Sequence, residues 1–585
     1  MAYNNTSKKQ REGKQVFKKF LLIYGLMNQA DKRRLMLIIL LSLLNGMLGV
    51  AGIASIVPFI GLISEPELLE TNTYLITFTQ ITGITEYADL VVVFAIISFL
   101  LVLMGNILSA SDVWISAKFG YFKERQLSGR LLRNYLQADD LTFAKQKHSE
   151  RVKSVLSDVD RVILDTLFAQ IDMFASIVMA ALIFILLLVV DYQATLIVTA
   201  AIVAVYLLVY QIAAKRLDKL GKEFADIETD LYSDVLEALK LHREIKLARI
   251  QAYFVERYSE TFRDMISNRL KYELISLVPQ RVIETIGYAS ILIIAIYFAL
   301  QESMGASSLT LIGVYAFAMY RLMPAVEEIF DSFEQIQFGS AILRKLIKQF
   351  SSVARPDSED LIELKSDSVL QLANIDFSYQ AGQPLLLNQL SLNFRLEQFH
   401  CIMGKTGCGK STLLNIIAGF YQPGNGLIKL DAQQLSLYEN SAWQKQIGYV
   451  PSKVNLMEAS LAENIALGLD EEEIDQNKLI SLIELVELEQ LVGSLKEGTS
   501  SVYGEQGLRF SSGQMQKIGL ARALYRQPKI LILDESTDAL DLESEKRILS
   551  RIKAEFNLTI IFVSHRPSVA EFADQVIDLE HYRAN

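Results

Sequence analysis

Between residues 35 and 330 the chain is dominated by long apolar runs separated by polar stretches. They are Leu35–Ile63, Leu90–Leu108, Leu167–Val190, Ala194–Ala214, about Leu274–Leu300 and about Leu309–Met323. Each approaches the roughly 20 residues that carry a helix across a bilayer core. Six such runs in one half of a chain predict six membrane helices, because helices buried in a soluble protein are shorter and amphipathic. The connections at about 115–165 and 215–273 are long, charged and free of proline. Helical spacing continues through them, which predicts extensions of the membrane helices into the cytoplasm. Pro58, Pro279 and Pro324 fall in or at the ends of apolar runs, where a kink is tolerated if neighbouring helices satisfy the backbone.

Loop charge orients this half. The stretch Ser64–Tyr87 holds Glu65, Glu67, Glu70 and Glu86 and no Lys or Arg, and the turns Asp191–Gln193 and Gln301–Ser307 also lack them. Lys32, Arg33, Arg34, Lys118, Lys123, Arg125, Lys215, Arg216 and Lys219 lie on the other side. The positive-inside bias therefore puts both termini and the long loops in the cytoplasm, with the inner (plasma) membrane as the expected location. The basic start (Lys8, Lys9, Arg11, Lys14, Lys18, Lys19) is not followed by an early apolar run and does not read as a cleavable signal. Arg281 and Glu284 share a face of the fifth run, and Arg321 ends the sixth. Two readings stay open for these three: a cavity that holds a polar or anionic cargo group, or snorkelling to the interface. Glu327 and Glu328 read as interfacial.

With 585 residues the chain exceeds one ordinary domain, and 51% hydrophobic content fits a part that lives in lipid. A net charge of -10 speaks against a nucleic-acid partner. Cys401 and Cys408 cannot form a disulfide framework and read as reduced thiols. His148, His242, His400 and His581 form no metal-ligand pattern and read as surface or packing residues.

The composition changes after about residue 350. Residues 351–367 read as a linker between a domain at 1–350 and another at 368–585. The second domain carries Gly404, Lys405, Thr406, Gly407, Cys408, Gly409, Lys410, Ser411 and Thr412, a complete GxxxxGKS phosphate loop. The apolar Phe399–Met403 before it predicts a strand, and Leu413–Ile417 after it a helix. Successive backbone N–H groups of such a loop curl round ATP phosphates at a helix N-terminus. Lys410 is expected to reach the β- and γ-phosphates, Ser411 to ligate Mg²⁺, and Thr412 to hold the α-phosphate. Cys408 is either a reactive thiol or a small filler. About 120 residues on, the apolar strand Ile530–Leu533 ends in Asp534 and Glu535. Asp534 suits Mg²⁺ or its water, and Glu535 suits polarisation of the attacking water. Between them, Ser511 and Gln514 fit a capping box opening a helix through Ala523.

This order of motifs resembles the ATP-binding-cassette (ABC) family, and the resemblance covers nearly the whole chain. It implies a multidomain membrane protein: an all-α, six-helix, exporter-type transmembrane domain joined to an α/β P-loop NTPase. Such a half-transporter uses its signature serine and glycine on the nucleotide of the opposite subunit. Ser511 and Gly513, with Gln514, would then act in trans, and the expected state is a homodimer, or a pair with a related half-transporter, holding two ATP molecules. By the same resemblance Tyr379 stacks on adenine, Asp541 couples the two sites, and His565 is the switch histidine near the γ-phosphate. Gly504–Gly507 is similar to the loop that touches the membrane helices, and coupling helices are expected near Asp139–Lys147 and Asp226–Leu236. The chain departs from the family at Ser452, where glutamine is usual, and at Phe510 and Ser512 of the signature. A serine is too short to reach Mg²⁺ and water as glutamine does, so slow or weakly coupled hydrolysis is expected. Val57–Ser64, Val278–Glu284 and Tyr320–Pro324 resemble flippases of lipid-linked oligosaccharides, where Arg321 would suit a pyrophosphate head group.

The leading reading is an ATP-driven exporter or flippase of a lipid-linked or amphipathic cargo. A nucleotide-switched, weakly hydrolysing partner subunit is the alternative. A soluble ATPase conflicts with the loop-charge asymmetry.

Overall fold

Apolar runs and their polar extensions merge into very long helices. In a computed structural model of the chain, residues 21–582 are described except 65–72, 85, 191, 301–305, 352–361, 363, 381, 439 and 505–509. The linker and most of Gly504–Gly507 thus lie largely outside the described residues, as do Glu65, Glu67, Glu70 and Asp191. Two compact units result, one from Met1–Gln137 and Gln146–Val353, the other from Ala138–Lys145 and Ala354–Asn585.

In the first unit, α1 (Gln29–Ser64), α2 (Thr73–Thr82) and α3 (Tyr87–Leu136) precede α4 (Asp140–Lys145), which belongs to the second unit. Then come α5 (His148–Lys153), α6 (Val159–Val162), α7 (Ala169–Val190), α8 (Tyr192–Lys240), α9 (His242–Ala248), α10 (Gln251–Leu300), α11 (Ala306–Phe338) and α12 (Ser340–Ser351). Asn28 caps α1, accepting from Asp31 N–H at 2.8 Å, while its own N–H donates to the Asp31 carboxylate at 3.4 Å. Among the described residues, three stretches are long and apolar enough to cross a membrane: Gln29–Gly52, Tyr87–Leu136 and His148–Val189. The other three predicted runs fall on α8, α10 and α11, each of which includes residues with undescribed side chains. The helices α3 and α10 have 50 residues each and α8 has 49. At 1.5 Å rise per residue that is about 75 Å, more than twice a ~30 Å bilayer core, so the predicted extensions are single continuous helices. The helices α10 and α11 continue through Pro279 and Pro324.

Two π-helical turns, Ser154–Asp158 and Ile163–Phe168, interrupt the passage from α5 to α7. Beside the first, Lys153 is fully buried, with Nζ 3.3 Å from Asp158 and 3.2 Å from Glu228 of α8. Its ammonium also donates to the Ala225 carbonyl at 2.7 Å. Lys345 of α12 pairs with Glu150 at 3.0 Å. Residues 226–236, expected as a coupling helix, instead continue α8. The interruption comes later, at α9, which closes on Arg249 in the left-handed region (φ 56°). Leu239, Leu241 and Leu247 are exposed there.

In the second unit the parallel sheet has the order β6 (Ile447–Val450), β7 (Ile530–Asp534), β8 (Thr559–Val563), β3 (Phe399–Met403), β9 (Gln575–Asp578). Strands β7 and β8 are wholly buried, as the unbroken apolar runs Ile530–Leu533 and Ile560–Val563 require of a sheet covered on both faces. An antiparallel sheet holds β2 (Leu387–Arg395), β1 (Val369–Phe377), β4 (Asn425–Leu430) and β5 (Gln433–Leu435). The helices are α13 (Lys410–Ile417), α14 (Ser441–Gln444), α15 (Leu461–Ile465), α16 (Gln476–Leu485), α17 (Glu489–Ser494), α18 (Ser512–Tyr525), α19 (Leu542–Glu555) and α20 (Pro567–Ala570). Leu141 of α4 packs on the core that includes Trp443 and Ile416. Asp140 bonds Tyr421, whose hydroxyl burial pushes up to about 12.

Candidate active site

Strand β3 ends at Met403, and the chain turns through residues 404–409 into α13. Gly404 has φ +144° and Gly409, the N-cap of α13, has φ +104°. A Cβ on Gly409 would sit 2.9 Å from Leu387 Cδ2, so both conformation and space demand glycine. Cys408 is buried with Leu387 and Leu413, which favours the filler role over reactivity. The buried Lys410 ammonium donates to the carbonyls of Gly404 (2.8 Å) and Lys405 (3.2 Å) and so braces the loop. Within the loop, Lys405 binds Glu580 through both its N–H and its ammonium, each at 3.1 Å.

The adjacency of β3 and β7 through β8 brings the loop to the acidic pair. Ser411 Oγ donates to Asp534 Oδ1 at 2.9 Å, and Tyr449 OH donates to Oδ2 at 3.3 Å. Burial raises the Asp534 carboxyl above its ordinary value, and the Ser411 and Tyr449 hydrogen bonds oppose that rise. One residue on, Glu535 has φ +52°, an uncommon backbone for a residue with a side chain. Its Oε1 lies 3.0 Å from His565 Nε2, at the end of β8. Tyr379 OH and Thr412 Oγ1 are 2.7 Å apart, and the Tyr379 ring stands edge-on to Phe377 and Tyr421, half exposed beside the loop.

Other predicted residues sit elsewhere in the cassette. Ser511 Oγ accepts from Gln514 N–H at 3.2 Å, and Gln514 Oε1 accepts from Ser511 N–H at 2.8 Å, completing the capping box of α18. A Cβ on Gly513 would lie 3.1 Å from the Ala539 carbonyl. None of these three hydrogen-bonds the 404–412 loop among the described residues. Asp541 caps α19 through Ser544 N–H at 2.9 Å. Ser452 is exposed.

Sequence reasoning missed Tyr449 and Arg566. The Arg566 guanidinium binds the carbonyls of Asp538 and Leu540 and the buried Glu545 carboxylate, at 2.8–3.0 Å, and so shapes the 538–541 turn. Its place directly after His565 was the available signal.

In the membrane unit, Arg281 pairs with Glu284 at 2.7 Å on an exposed face. Arg321 instead lines a pocket of about 140 Å³ of mixed lining, with Asn45, Asn106 and Ser109 beside Leu48, Val102 and the glycine-bearing face of α1. An apolar pocket of about 150 Å³ lies against α7 and α11, lined by Phe184, Leu187, Tyr315, Met319 and Leu322.

Residues 35–323 match the ABC transporter transmembrane region and residues 387–538 the ABC transporter family, together well over half the chain. The chain belongs to the ABC transporter family, with one transmembrane region and one ATP-binding cassette. It is similar to proteins named ATP-dependent lipid A-core flippase. That of Polaromonas sp. is 27% identical over 64% of this chain and 63% of its own length. That of Photorhabdus laumondii is 26% identical over 82% of this chain and 81% of its own. The match thus spans less than two thirds of the first relative. A bacterial Atm1-family ABC exporter with ATP bound shares the fold, with a TM-score of 0.77, 18% identity and 94% coverage of both chains.

Proposed function

We propose that this chain is one half of an ATP-driven exporter or flippase, working as a dimer, that moves an amphipathic or lipid-linked cargo from the cytoplasmic side. The observation that carries this reading is the hydrolytic set at the carboxyl ends of the sheet strands: Ser411 on Asp534, and Glu535 on His565. The adjacent serine hydroxyl and carboxylate form an oxygen-only donor pair that suits Mg²⁺. When bound there, the ion neutralises charge on the phosphates.

Lys410 leaves its carbonyl partners for the β- and γ-phosphates, and the exposed Tyr379 ring takes the adenine. Glu535 accepts a proton from the attacking water, and His565 holds that carboxylate in line. Ser511 and Gly513 face the nucleotide of the second subunit, so closure of the pair completes both sites. The two membrane pockets suggest a cargo with an anionic head for Arg321 and an apolar tail for the Tyr315 slot. The names of the relatives fit such an amphiphile. The expected location is the inner membrane with both termini cytoplasmic.

The exposed Ser452 favours a second reading, a weakly hydrolysing partner of a different half-transporter. ATP hydrolysis by the lipid-reconstituted protein, wild type beside Glu535→Gln, tests both. Turnover that the variant abolishes supports the pump. Nucleotide binding without turnover in the wild type overturns it in favour of the partner subunit.

A further inference from the structure

Helix α16 ends in a left-handed turn. Leu488 N–H bonds the Ile483 carbonyl at 2.9 Å, and Glu487 sits between them at φ +56°. Glycine is the usual residue at this C′ position because a Cβ is penalised there. A glutamate in its place points to a purpose for the side chain, and its contacts supply one. The carboxylate accepts from Arg547 Nε at 2.7 Å and Nη2 at 3.3 Å, and from Ser544 Oγ at 2.6 Å, all on α19. On its other side Lys517 of α18 approaches Oε2 at 3.5 Å and the Glu487 carbonyl at 3.3 Å.

These two helices begin at residues expected to work across the dimer, Ser511 on the partner's nucleotide and Asp541 in coupling the two sites. Helix α18 opens at Ser511, and α19 opens at Asp541. A second tie joins α18 to the turn that leads into α19, where Gln516 Oε1 accepts the Ala539 N–H at 3.0 Å. A tie at one level alone would leave the helices free to pivot. The Glu487 bridge meets α18 at the adjacent Lys517 but reaches α19 further along, at Ser544 and Arg547, and so removes that freedom. Arg566 then anchors the same 538–541 turn to the segment after β8 that bears His565.

The geometry points to Glu487 as a positioning residue that locks the signature helix to the Asp541 helix, so that Ser511, Gly513 and Asp541 are presented to the second subunit as one rigid face. Glu487 touches no part of the phosphate loop among the described residues, so nucleotide capture by the same subunit is independent of it. The proposal rests on the reading of the cassette as an ATPase that works across a dimer.

The test uses the full chain in lipid nanodiscs with Glu487→Gln and Glu487→Gly. Both variants remove the charged tie, and the glycine also relieves the left-handed strain, so its melting temperature falls less than that of Glu487→Gln. Both variants are expected to lose about tenfold in kcat with the KM for ATP held within about twofold. Hydrogen exchange without nucleotide should rise together in residues 511–516 and 538–541. Unchanged kcat in the glycine variant, or exchange that rises only around residues 484–490, overturns the proposal. A wild type without turnover defeats the ATPase reading instead, and the exchange experiment still decides the role of Glu487.

Discussion

His565 Nε2 lies 3.0 Å from Glu535 Oε1, although the two residues follow different strands and are 30 positions apart. The left-handed backbone at Glu535 turns the carboxylate out of the buried strand β7 and towards the end of β8. Glu535→Gln keeps the shape and removes the base. ATPase turnover in liposomes should fall by about 10²-fold or more while ATP binding persists. His565→Ala should also lose turnover, because Glu535 loses its partner.

Ser411 and Asp534 share a hydrogen bond of 2.9 Å where a divalent ion would be held. Ser411→Ala should weaken Mg²⁺-dependent ATP binding more than binding in EDTA. Titration with a fluorescent nucleotide, with and without Mg²⁺, measures the difference. Equal losses under both conditions would remove Ser411 from the metal site.

Ser452 is exposed on the segment after β6. Ser452→Gln supplies a side chain long enough to bridge towards metal-bound water. Basal ATPase activity should rise several-fold, and stimulation by cargo should steepen. No change would place the limit on turnover elsewhere.

Lys153 has no exposed surface and faces Asp158 and Glu228. Lys153→Met removes the buried cation between two carboxylates whose remaining partners, Arg161 on Glu228 at 3.3 Å and Lys345 on Asp158 at 3.7 Å, are partly exposed. The cost should be about 3–5 kcal/mol, the size found when one partner of a buried pair is removed. Thermal unfolding in detergent reads this as a large drop in melting temperature, and neutralising Asp158 and Glu228 in the same chain should recover part of it.

Hydrogen bonds from Arg547 and Ser544 hold the Glu487 carboxyl at about 2, against an ordinary 4.5. A depressed carboxyl contributes stability that is complete above its unfolded value and is lost as the pH falls through its folded value. The stabilisation should therefore fade between about pH 4.5 and about pH 2. Over that window wild-type melting temperatures should fall more steeply than those of Glu487→Gln, and parallel curves would contradict the shift.

Much of the fold was legible because its signals are local. Strands at Phe399–Met403 and Ile530–Leu533, the helix after the phosphate loop and the Ser511–Gln514 cap were all read from neighbouring residues, and they occur at those positions. Local signals also suggested a separate helix at residues 226–236, which instead continue α8. Residues 226–236 and 242–248 are equally polar and helical, and only the left-handed stop at Arg249 separates α9 from α10. Tyr449 and Arg566 were passed over because each acts on groups more than 20 residues away.

By itself the sequence determined the apolar runs, the charge asymmetry of the loops between them, and the motifs of an ATP-binding cassette. Hydropathy, charge and backbone permissiveness act over a few residues and are written in order along the chain. Only the tertiary structure decided that Ser411 meets Asp534, that Arg321 lines a pocket while Arg281 is paired outside, and that Glu487 joins α18 to α19. Those contacts arise from the strand order β6-β7-β8-β3-β9 and from helix packing, which bring together residues far apart in the chain.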